Sequence, residues 1–438
     1  MNKVAFHTFG CKLNFSETST IARIFKEKGY KTTTIKNNPD QVVINTCSVT
    51  ENADKKCKDL IKKINKISPN SKVTIVGCYA QLKPKEISSI RGVDKVLGIK
   101  EKFEFKNYSS SSDKVQFENI KKTKDFELSY SFEDRTRSFL KVQDGCNFGC
   151  SFCTIPLARG RSRSTDSSSV IKKLDEMILN GSKEIVLSGI NIGDFGIIDG
   201  KRKESFFDLL KKIEQIRQKI RIRISSIEPN LLDDNIIELI GKSKKFVNHF
   251  HIPLQSGNDK ILKLMSRKYD SNLYFEKISK IRKEINNSCV GADVIVGHPG
   301  ETKKDFEKTL KFIKSTKLNY LHVFPYSQRD NTRSNKFGDT VPLKTKNERS
   351  KILRSLSEKL RRNFYEKNIN KEHSVLFEDK IKENYIYGFT ENYIRVKVPF
   401  DKNLVGTIRR TCIIDIDKDS CALGCLLYTS DAADELSC

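Results

Sequence analysis

The chain has 438 residues, enough for two to four domains of about 100–200 residues each. Hydrophobic residues make up 37% of it, which excludes wholesale disorder. Lysine and arginine total 81 against 55 aspartates and glutamates, so the formal charge is +26. We therefore expect a polyanionic partner, either nucleic acid or an anionic membrane surface. No apolar run approaches the roughly 18 residues that span a bilayer, and the first ten residues lack a signal-peptide core, so we expect a cytoplasmic protein.

Residues 1–107 alternate between strand and helix patterns, which predicts a doubly wound α/β domain with a parallel sheet. A lysine-rich amphipathic helix is predicted at Glu51–Ile67. The predicted strands are Val4–Thr8, Tyr30–Ile35, Gln41–Asn45 and Lys72–Gly77. The polar range 108–131 predicts a linker.

Residues 132–367 alternate in the same way, with six strand patterns separated by helical ones. The predicted strands are Phe139–Gln143, Glu184–Leu187, Arg221–Ser225, His249–Pro253, Asp293–Val296 and Tyr320–Tyr326. Six such units predict a partial (β/α) barrel. The pattern changes to period two over residues 368–424, which predicts a small all-β barrel.

Twelve cysteines are far fewer than a disulfide scaffold carries, and motif spacing in a reducing compartment indicates metal ligands. Cys146, Cys150 and Cys153 form a CxxxCxxC motif directly after a predicted strand. Three thiolates can hold a four-iron cube and leave one iron open. The alternative is a zinc site whose fourth ligand lies elsewhere in the chain.

Cys11, Cys47 and Cys78 each follow a predicted strand of the amino-terminal domain. The carboxyl ends of parallel strands meet at one edge of a sheet, so these thiols predict a second metal centre there. The alternative is that they are small packing residues. The remaining cysteines, among them Cys57 and Cys289, are assigned no role.

The CxxxCxxC motif resembles that of the radical S-adenosylmethionine (SAM) superfamily. Together with TFGCKLNFSET, INTCSVT, GCYAQ, DGCNFGCSFCTIPLARGRSRS and HIPLQSGNDKILKLMSRKY, it resembles the radical SAM methylthiotransferases. GCKLN and GCYAQ resemble the branch that acts on threonylcarbamoyladenosine in tRNA. His298 departs from the family, which usually has phenylalanine there. Residues from Lys371 onward resemble a TRAM domain, a small RNA-binding barrel.

This resemblance implies two [4Fe–4S] clusters and SAM as cofactors. Cys146, Cys150 and Cys153 would hold the catalytic cluster, which cleaves SAM to a radical that takes the hydrogen from adenine C2. The auxiliary cluster, on Cys11, Cys47 and Cys78, would carry the sulfur to be inserted, and a second SAM would methylate it. The implied substrate is N6-threonylcarbamoyladenosine at position 37, in the anticodon stem-loop of tRNA. An electron donor and a sulfur donor are also implied, and no membrane partner is.

Three other functions stay open. The family also contains enzymes for isopentenyladenosine in tRNA and for an aspartate of a ribosomal protein. Outside the family, a zinc-stabilised RNA-binding protein without enzymatic activity would share the cysteines and the charge.

Several residues are expected to contact the cofactor or the tRNA. Predicted SAM contacts are Ser188, Gly189, Asn191, Gln255, Ser256, Gly257 and Gly297. The LSGIN segment lacks the acidic residue that holds the SAM amino group in many radical SAM proteins. Arg159, Arg161 and Arg163 are candidates for contacts with phosphates of tRNA. The range Cys425–Cys438 includes CLLYTSDAADE, which resembles a translated sequencing adapter and predicts a non-native tail.

Overall fold

Six parallel strands form the first sheet of the computed structural model, which describes residues 2–48, 50–109, 111, 113–131 and 136–427. Their spatial order is β2-β1-β3-β4-β5-β6. The strands are β1 Lys3–Thr8, β2 Lys31–Thr33, β3 Gln41–Thr46, β4 Lys72–Gly77, β5 Lys95–Leu97 and β6 Val115–Gln116. The helices are α1 Lys12–Glu27, α2 Glu51–Ile67, α3 Cys78–Leu82 and α4 Pro84–Ser88. Strand β6 falls within the predicted linker range 108–131, where it extends the sheet by pairing with β5.

The central part of the chain forms an open half-barrel of parallel strands. Its strands are β7 Arg137–Lys141, β10 Glu184–Ser188, β13 Arg221–Ile224, β14 His249–His251, β15 Cys289–Val296 and β16 Tyr320–Pro325. Short strands lie in its loops at β8 Gln143–Asp144, β9 Arg163–Ser164, β11 Ile197–Ile198 and β12 Lys201–Arg202. Strands β7, β10 and β13 pair, as do β14, β15 and β16, and a parallel bridge between Ser226 and His251 connects the two sets.

Helices cover the outer face of the half-barrel. They are α6 Ser167–Leu179, α7 Phe206–Glu214, α8 Asp234–Lys242, α9 Asp259–Leu264, α10 Ser271–Glu284, α11 Lys303–Ser315 and α12 Leu343–Glu366. The short helix α5 Ile155–Arg159 instead packs against α3 of the amino-terminal unit. Ile222 and Ile224 belong to the large core beneath these helices. Because strand residues alternate between faces, Arg221 and Arg223 point to the inner face, which we call the lumen.

A closed five-stranded barrel ends the chain, with the strand order β17-β18-β19-β21-β20. Its strands are β17 Glu372–Lys382, β18 Tyr385–Thr390, β19 Arg395–Pro399, β20 Ile408–Ile416 and β21 Ala422–Leu426. Cys425 pairs with Cys412 and Leu426 with Thr411, so the first residues of the predicted tail complete this barrel. Residues 428–438 of that tail lie outside the described residues. The predicted fold class of three α/β and β units is confirmed.

The carboxy-terminal barrel packs against the end of the half-barrel where the strands begin. Arg137 at the start of β7 forms an ion pair with Glu378, 2.9 Å apart. Cys289 and Tyr320, which begin β15 and β16, belong to the core of the small barrel. The opposite end of the half-barrel faces the amino-terminal sheet. Among the described helices, none has both the length and the apolar character needed to cross a membrane.

Candidate active site between the two α/β units

The CxxxCxxC loop lies at the carboxyl end of the half-barrel, after β7 and β8. The backbone N–H groups of Phe148 and Ile155 donate to Cys146 Sγ (3.3 Å) and Cys153 Sγ (3.5 Å). Burial raises the pKa of both thiols to about 12, and neighbouring thiols of the motif contribute in each case. Cys150 Sγ accepts a hydrogen bond from Arg267 Nη1 at 3.1 Å. The three thiols therefore lie together in a site that needs a cation to hold them as thiolates.

The spacing of the thiols bears on which metal centre they fit. Among the described residues, one set of three potential metal ligands has all its donor atoms within 4.8 Å of one another, namely His251, Asp293 and His322. Neither cysteine triad meets this distance criterion. A tetrahedral zinc ion with Zn–S bonds of about 2.3 Å would hold its thiolates about 3.8 Å apart. Neither cysteine triad is therefore drawn together as tightly as a single bound zinc ion would hold it.

Cys11, Cys47 and Cys78 lie at one edge of the amino-terminal sheet. Cys47 follows β3, Cys11 precedes α1, and Cys78 begins α3 directly after β4. Gly10 has φ +100°, and a Cβ there would lie 2.6 Å from Cys47 Cβ. Only glycine therefore lets the Cys11 loop approach Cys47 this closely. Burial raises the pKa of Cys78, and the charge of Cys11 contributes to the same effect.

A cavity of about 490 Å³ lies between the two α/β units and reaches one cysteine of each triad. Cys47 lies on its amino-terminal side and Cys153 on its half-barrel side. The cavity is also lined by Gln255, Asp293, Ile295 and Phe324. A molecule in this cavity can contact both predicted metal centres at once, which is the arrangement that transfer between them requires.

A buried ion network joins the two units beside this cavity. Glu17 of α1 contacts Lys102 Nζ (2.6 Å), Arg159 Nη1 (2.9 Å) and Lys141 Nζ (3.1 Å). Arg159 also forms an ion pair with Asp144 at 3.0 Å and donates through Nε to Cys78 Sγ at 3.3 Å. A residue of the half-barrel thus contacts a thiol of the amino-terminal triad.

This network corrects the prediction that all three arginines after the cluster loop contact tRNA. Arg159 is 0% exposed and Arg163 is 5% exposed, so the prediction is wrong for both. Arg161 between them is exposed and remains a candidate for a phosphate contact.

The predicted SAM contacts fall into two groups. Ser188, Gly189 and Asn191 lie at the end of β10, close to the cluster loop. Asn191 Nδ2 is 3.9 Å from Cys146 Sγ, and its Oδ1 is buried without a hydrogen-bond partner among the described residues. A buried acceptor without a partner fits a ligand that carries an amino group. Gln255 lines the cavity with a left-handed φ of 60°.

Ser256, Gly257 and Gly297 contact helices instead. Ser256 Oγ lies 3.1 Å from Thr309 Oγ1 on α11. A Cβ on Gly257 would lie 2.8 Å from the side chain of Phe312, and one on Gly297 would lie 2.4 Å from that of Lys346. Among the described residues that line the cavity, none of these three is found.

His298, the departure from the family pattern, lies behind the cluster loop. Its Nε2 is 3.3 Å from Ser151 Oγ. Burial lowers the pKa of His298 to about 4, so the imidazole is neutral at pH 7. His298 therefore replaces the usual phenylalanine with another ring and adds no charge to the site.

Sequence reasoning missed several polar residues of this site. Glu228 forms an ion pair with Arg267, which contacts Cys150. Asp293 and His322 are directly paired in register between β15 and β16. Strand alternation could have found these two, since Asp293 and Ile295 share one face and so do His322 and Phe324.

Family comparisons agree with this architecture. Residues 140–313 match the Radical SAM superfamily, and residues 3–98 match a family described as Uncharacterized protein family UPF0004. A solved structure of the radical S-adenosylmethionine methyltransferase TsrM from Kitasatospora setae has a similar fold, with a TM-score of 0.53 and 11% identity. The similarity covers 76% of this chain and 77% of that one. The half-barrel and the three-cysteine loop define a protein of the radical SAM class.

Curated relatives match nearly the whole chain. Threonylcarbamoyladenosine tRNA methylthiotransferase MtaB of Bacillus subtilis is 39% identical over 426 residues, 94% of each chain. The Aquifex aeolicus protein of the same name is 37% identical over 90% of this chain and 96% of its own. A tRNA-2-methylthio-N(6)-dimethylallyladenosine synthase of Clostridium botulinum is 33% identical over 94% of this chain and 91% of its own. The chain belongs to the radical SAM methylthiotransferase family.

Proposed function

We propose that this protein is a tRNA methylthiotransferase that replaces the C2 hydrogen of N6-threonylcarbamoyladenosine 37 with a methylthio group. The observation that carries the proposal is the single cavity that reaches both Cys47 and Cys153. A reaction that breaks a C–H bond and delivers sulfur to the same carbon needs both centres at one substrate position. Two of the relatives described above carry this activity in their names.

The proposed cofactors are two [4Fe–4S] clusters and SAM. Cys146, Cys150 and Cys153 would hold one cluster, and the triad of the amino-terminal sheet (Cys11, Cys47 and Cys78) would hold the other. The bound cluster and SAM supply a radical strong enough to take hydrogen from an unactivated carbon, which acid–base groups cannot do.

The protein itself positions and shields these groups. Arg267 places a guanidinium against Cys150 Sγ, and Glu228 fixes that guanidinium from the other side. The apolar side chains of Ile295 and Phe324 line the cavity and limit access of water to the reacting carbon. The proposed SAM contacts are Ser188, Gly189, Asn191, Gln255, Ser256, Gly257 and Gly297, of which Gln255 lines the cavity.

The proposed domains are residues 1–107 for the auxiliary centre, 132–367 for the catalytic half-barrel and 368–424 for RNA binding, with 108–131 between the first two. The proposed partner is the anticodon stem-loop of tRNA, and the proposed location is the cytoplasm. The charge of +26 supports a polyanionic partner. Arg409 on β20 is an exposed cation of the small barrel.

The aromatic residues of the small barrel contribute less to an RNA surface than their number indicates. Phe389 and Tyr393 stack with ring centroids 5.0 Å apart, and Tyr393 lies 4.2 Å from His249 of the half-barrel. Tyr387 is 7% exposed. Phe389 and Tyr393 hold the two units together and Tyr387 is buried, so phosphate contacts are expected mainly from exposed cations.

The test is methylthiolation of defined RNAs by the full chain after anaerobic reconstitution with iron and sulfide. Anticodon stem-loops carrying threonylcarbamoyladenosine or isopentenyladenosine, and a ribosomal-protein peptide with the aspartate, compete in one reaction with SAM and a reductant. Mass spectrometry should find the methylthio group on threonylcarbamoyladenosine. Product on either competitor instead would assign the chain to that activity, and a colourless zinc protein without product would reject enzymatic function.

The matched control is Cys57→Ala. Cys57 is a buried cysteine of α2 with no proposed cluster role, so this variant should retain activity while Cys47→Ala loses it. Loss of activity in both variants would show that the amino-terminal sheet tolerates no cysteine substitution and would remove the support for an auxiliary centre.

A further inference from the structure

One face of helix α2 is rich in lysine and reaches the cavity. At 3.6 residues per turn its exposed lysines fall within about 120° around the helix axis. They lie opposite the buried residues Cys57, Ile61 and Ile64, which attach the helix to the sheet. The packing of α2 therefore gives no reason for the lysines. We call these residues the lysine face: Lys55, Lys56, Lys62, Lys63 and Lys66.

The carboxylates around the lysine face do not neutralise it. Asp59 lies within the face and Glu51 lies in the first turn of the helix, and both are exposed. The third acidic residue of α2, Asp54, is buried. Lys58, on another side of the helix, forms an ion pair with Glu86 at 2.7 Å. No ion pair among the described residues involves the lysine face, so five exposed ammonium groups are set against two exposed carboxylates.

The start of α2 is fixed beside the cavity. Asp54 forms an ion pair with Arg329, in the loop after β16, at 2.7 Å. The backbone N–H of Glu51 donates to Ser327 Oγ at 3.2 Å, and Ser327 lines the cavity. These contacts attach α2 to the half-barrel at the candidate active site, so the position of the lysine face relative to the cavity is defined.

Lys56 lies at the rim of the cavity. It is exposed to solvent and also lines the cavity, and it is the one lysine or arginine among the described lining residues. Lys66 follows ten residues later, which corresponds to about 15 Å along the helix axis. The lysine face is therefore a basic strip that begins at the cavity and leads away from it.

A base that enters the cavity brings its phosphates to this rim. Enzymes that react on a nucleic-acid base take the base out of its stack and into a pocket. The phosphates on either side are joined to that base through its ribose, so they stay close to the opening, where Lys56 lies. Phosphates further along the strand can then contact the remaining lysines of the face.

We infer that the lysine face binds the phosphate backbone of the substrate RNA, with Lys56 contacting a phosphate next to the nucleotide whose base enters the cavity. This inference rests on the proposed function and names a surface of the amino-terminal unit along which its substrate lies. An RNA explains why the basic strip begins at a cavity. An anionic membrane surface, the other polyanion that the charge allows, offers no base to fill that cavity.

The first test measures RNA affinity across a salt series with the cluster-loaded full chain, without reductant so that no turnover occurs. The probe is an anticodon stem-loop carrying threonylcarbamoyladenosine. Lys56→Gln should make the slope of log affinity against log salt shallower by about 1, and Lys62→Gln with Lys66→Gln by about 2, one for each phosphate contact. Asp59→Asn should tighten binding by about 2–5-fold, because it removes an anion from the lysine face.

The matched control is Lys58→Gln. It removes the same charge from the same helix, but from a side that is already paired with Glu86. This variant should keep the wild-type slope. Iron content is measured for every variant, so a change in affinity can be separated from a loss of clusters.

The second test locates the phosphate that Lys56 contacts. Stem-loops are made with a single neutral methylphosphonate linkage on either side of nucleotide 37. In the wild-type protein one of these linkages should weaken binding by about 2–5-fold, as for an exposed ion pair. In Lys56→Gln the same linkage should change affinity by a factor close to one. Lys66→Gln, about 15 Å away, should keep the wild-type factor, because distant contacts contribute independently.

Each outcome bears on the inference. An unchanged salt slope in the Lys56 and Lys62/Lys66 variants overturns it, and so does a methylphosphonate effect in Lys56→Gln that equals the wild-type effect. Weaker binding of these variants to vesicles of anionic lipid, with unchanged RNA affinity, would assign the face to a membrane and also overturns it. A protein that shows the predicted dependence on Lys56 but forms no methylthio product supports this RNA surface while rejecting the proposed function.

Discussion

Replacing Glu17 with glutamine removes one negative charge from the buried contact between the two α/β units. Glu17 is 0% exposed, and its carboxylate contacts three cations. Lys102 belongs to its own unit, whereas Lys141 and Arg159 come from the half-barrel. Glutamine has nearly the same shape, so Glu17→Gln tests the charge while it preserves the packing.

The expected loss of stability is large. Removing one partner of a buried ion pair costs about 3–5 kcal/mol, because the remaining charges stay buried without compensation. Here Lys102 would lose its carboxylate partner, and Asp144 alone would face Lys141 and Arg159. Glu17→Gln should therefore lower the free energy of unfolding by about 3–5 kcal/mol at pH 7.

The pH dependence gives a second readout. Burial acts to raise the pKa of Glu17, but Arg159, Lys102 and Lys141 outweigh it, so this pKa lies well below its usual range. A carboxyl with a depressed pKa in the folded state stabilises the fold above its unfolded pKa of about 4.3, and this contribution is lost as the pH falls below that value. Glu17→Gln should therefore lose less stability than the wild-type protein between about pH 5 and pH 3.

The assay is urea unfolding of the full chain under anaerobic conditions, from pH 7 downwards. Glu27→Gln is the matched control, since Glu27 is an exposed carboxylate of the same helix. It should change the free energy of unfolding by no more than about 0.5 kcal/mol. If Glu17→Gln behaves like this control at pH 7, the ion network does not hold the two units together and the reasoning fails.

Three further predictions concern the clusters and the RNA. Cys150→Ala should abolish 5′-deoxyadenosine formation from SAM, whereas Cys412→Ala on β20 should not; cleavage at the wild-type rate in Cys150→Ala would refute the ligand assignment. Cys47→Ala should lose about half of the iron and all methylthiolated product, since one of two clusters is removed; full iron content would contradict an auxiliary cluster. The logarithm of tRNA affinity should fall against the logarithm of salt with a slope of roughly −3 to −5, for about four to six phosphate contacts. Arg409→Gln should make that slope shallower by about 1, and an unchanged slope would exclude this residue from the RNA surface.

Local patterns predicted the elements well where hydrophobic periodicity and capping agree. The helix predicted at Glu51–Ile67 has the same bounds as α2. Thr50 caps it by accepting from the backbone N–H of Ala53, and Ile61 and Ile64 form its buried face. The strand-end cysteines could be placed at one sheet edge because the direction of parallel strands fixes where each strand ends.

The features of the site that the sequence did not predict depend on contacts between residues distant in sequence. Arg159 and Arg163 lie in a run that resembles a solvated loop, and their burial depends on ion pairs with Glu17 and Asp144. No local sequence pattern predicts such long-range pairings, so the burial of Arg159 and Arg163 became evident only in the folded chain.

The proposed function requires that one cavity bring both metal centres to adenine C2 of threonylcarbamoyladenosine. The most direct measurement uses an anticodon stem-loop deuterated at that C2, incubated with the reconstituted full chain, SAM and a reductant. Mass spectrometry should find deuterium in the 5′-deoxyadenosine that is released and a methylthio group at the same C2. Release of 5′-deoxyadenosine without deuterium, with the C2 deuterium retained in the RNA, would contradict it.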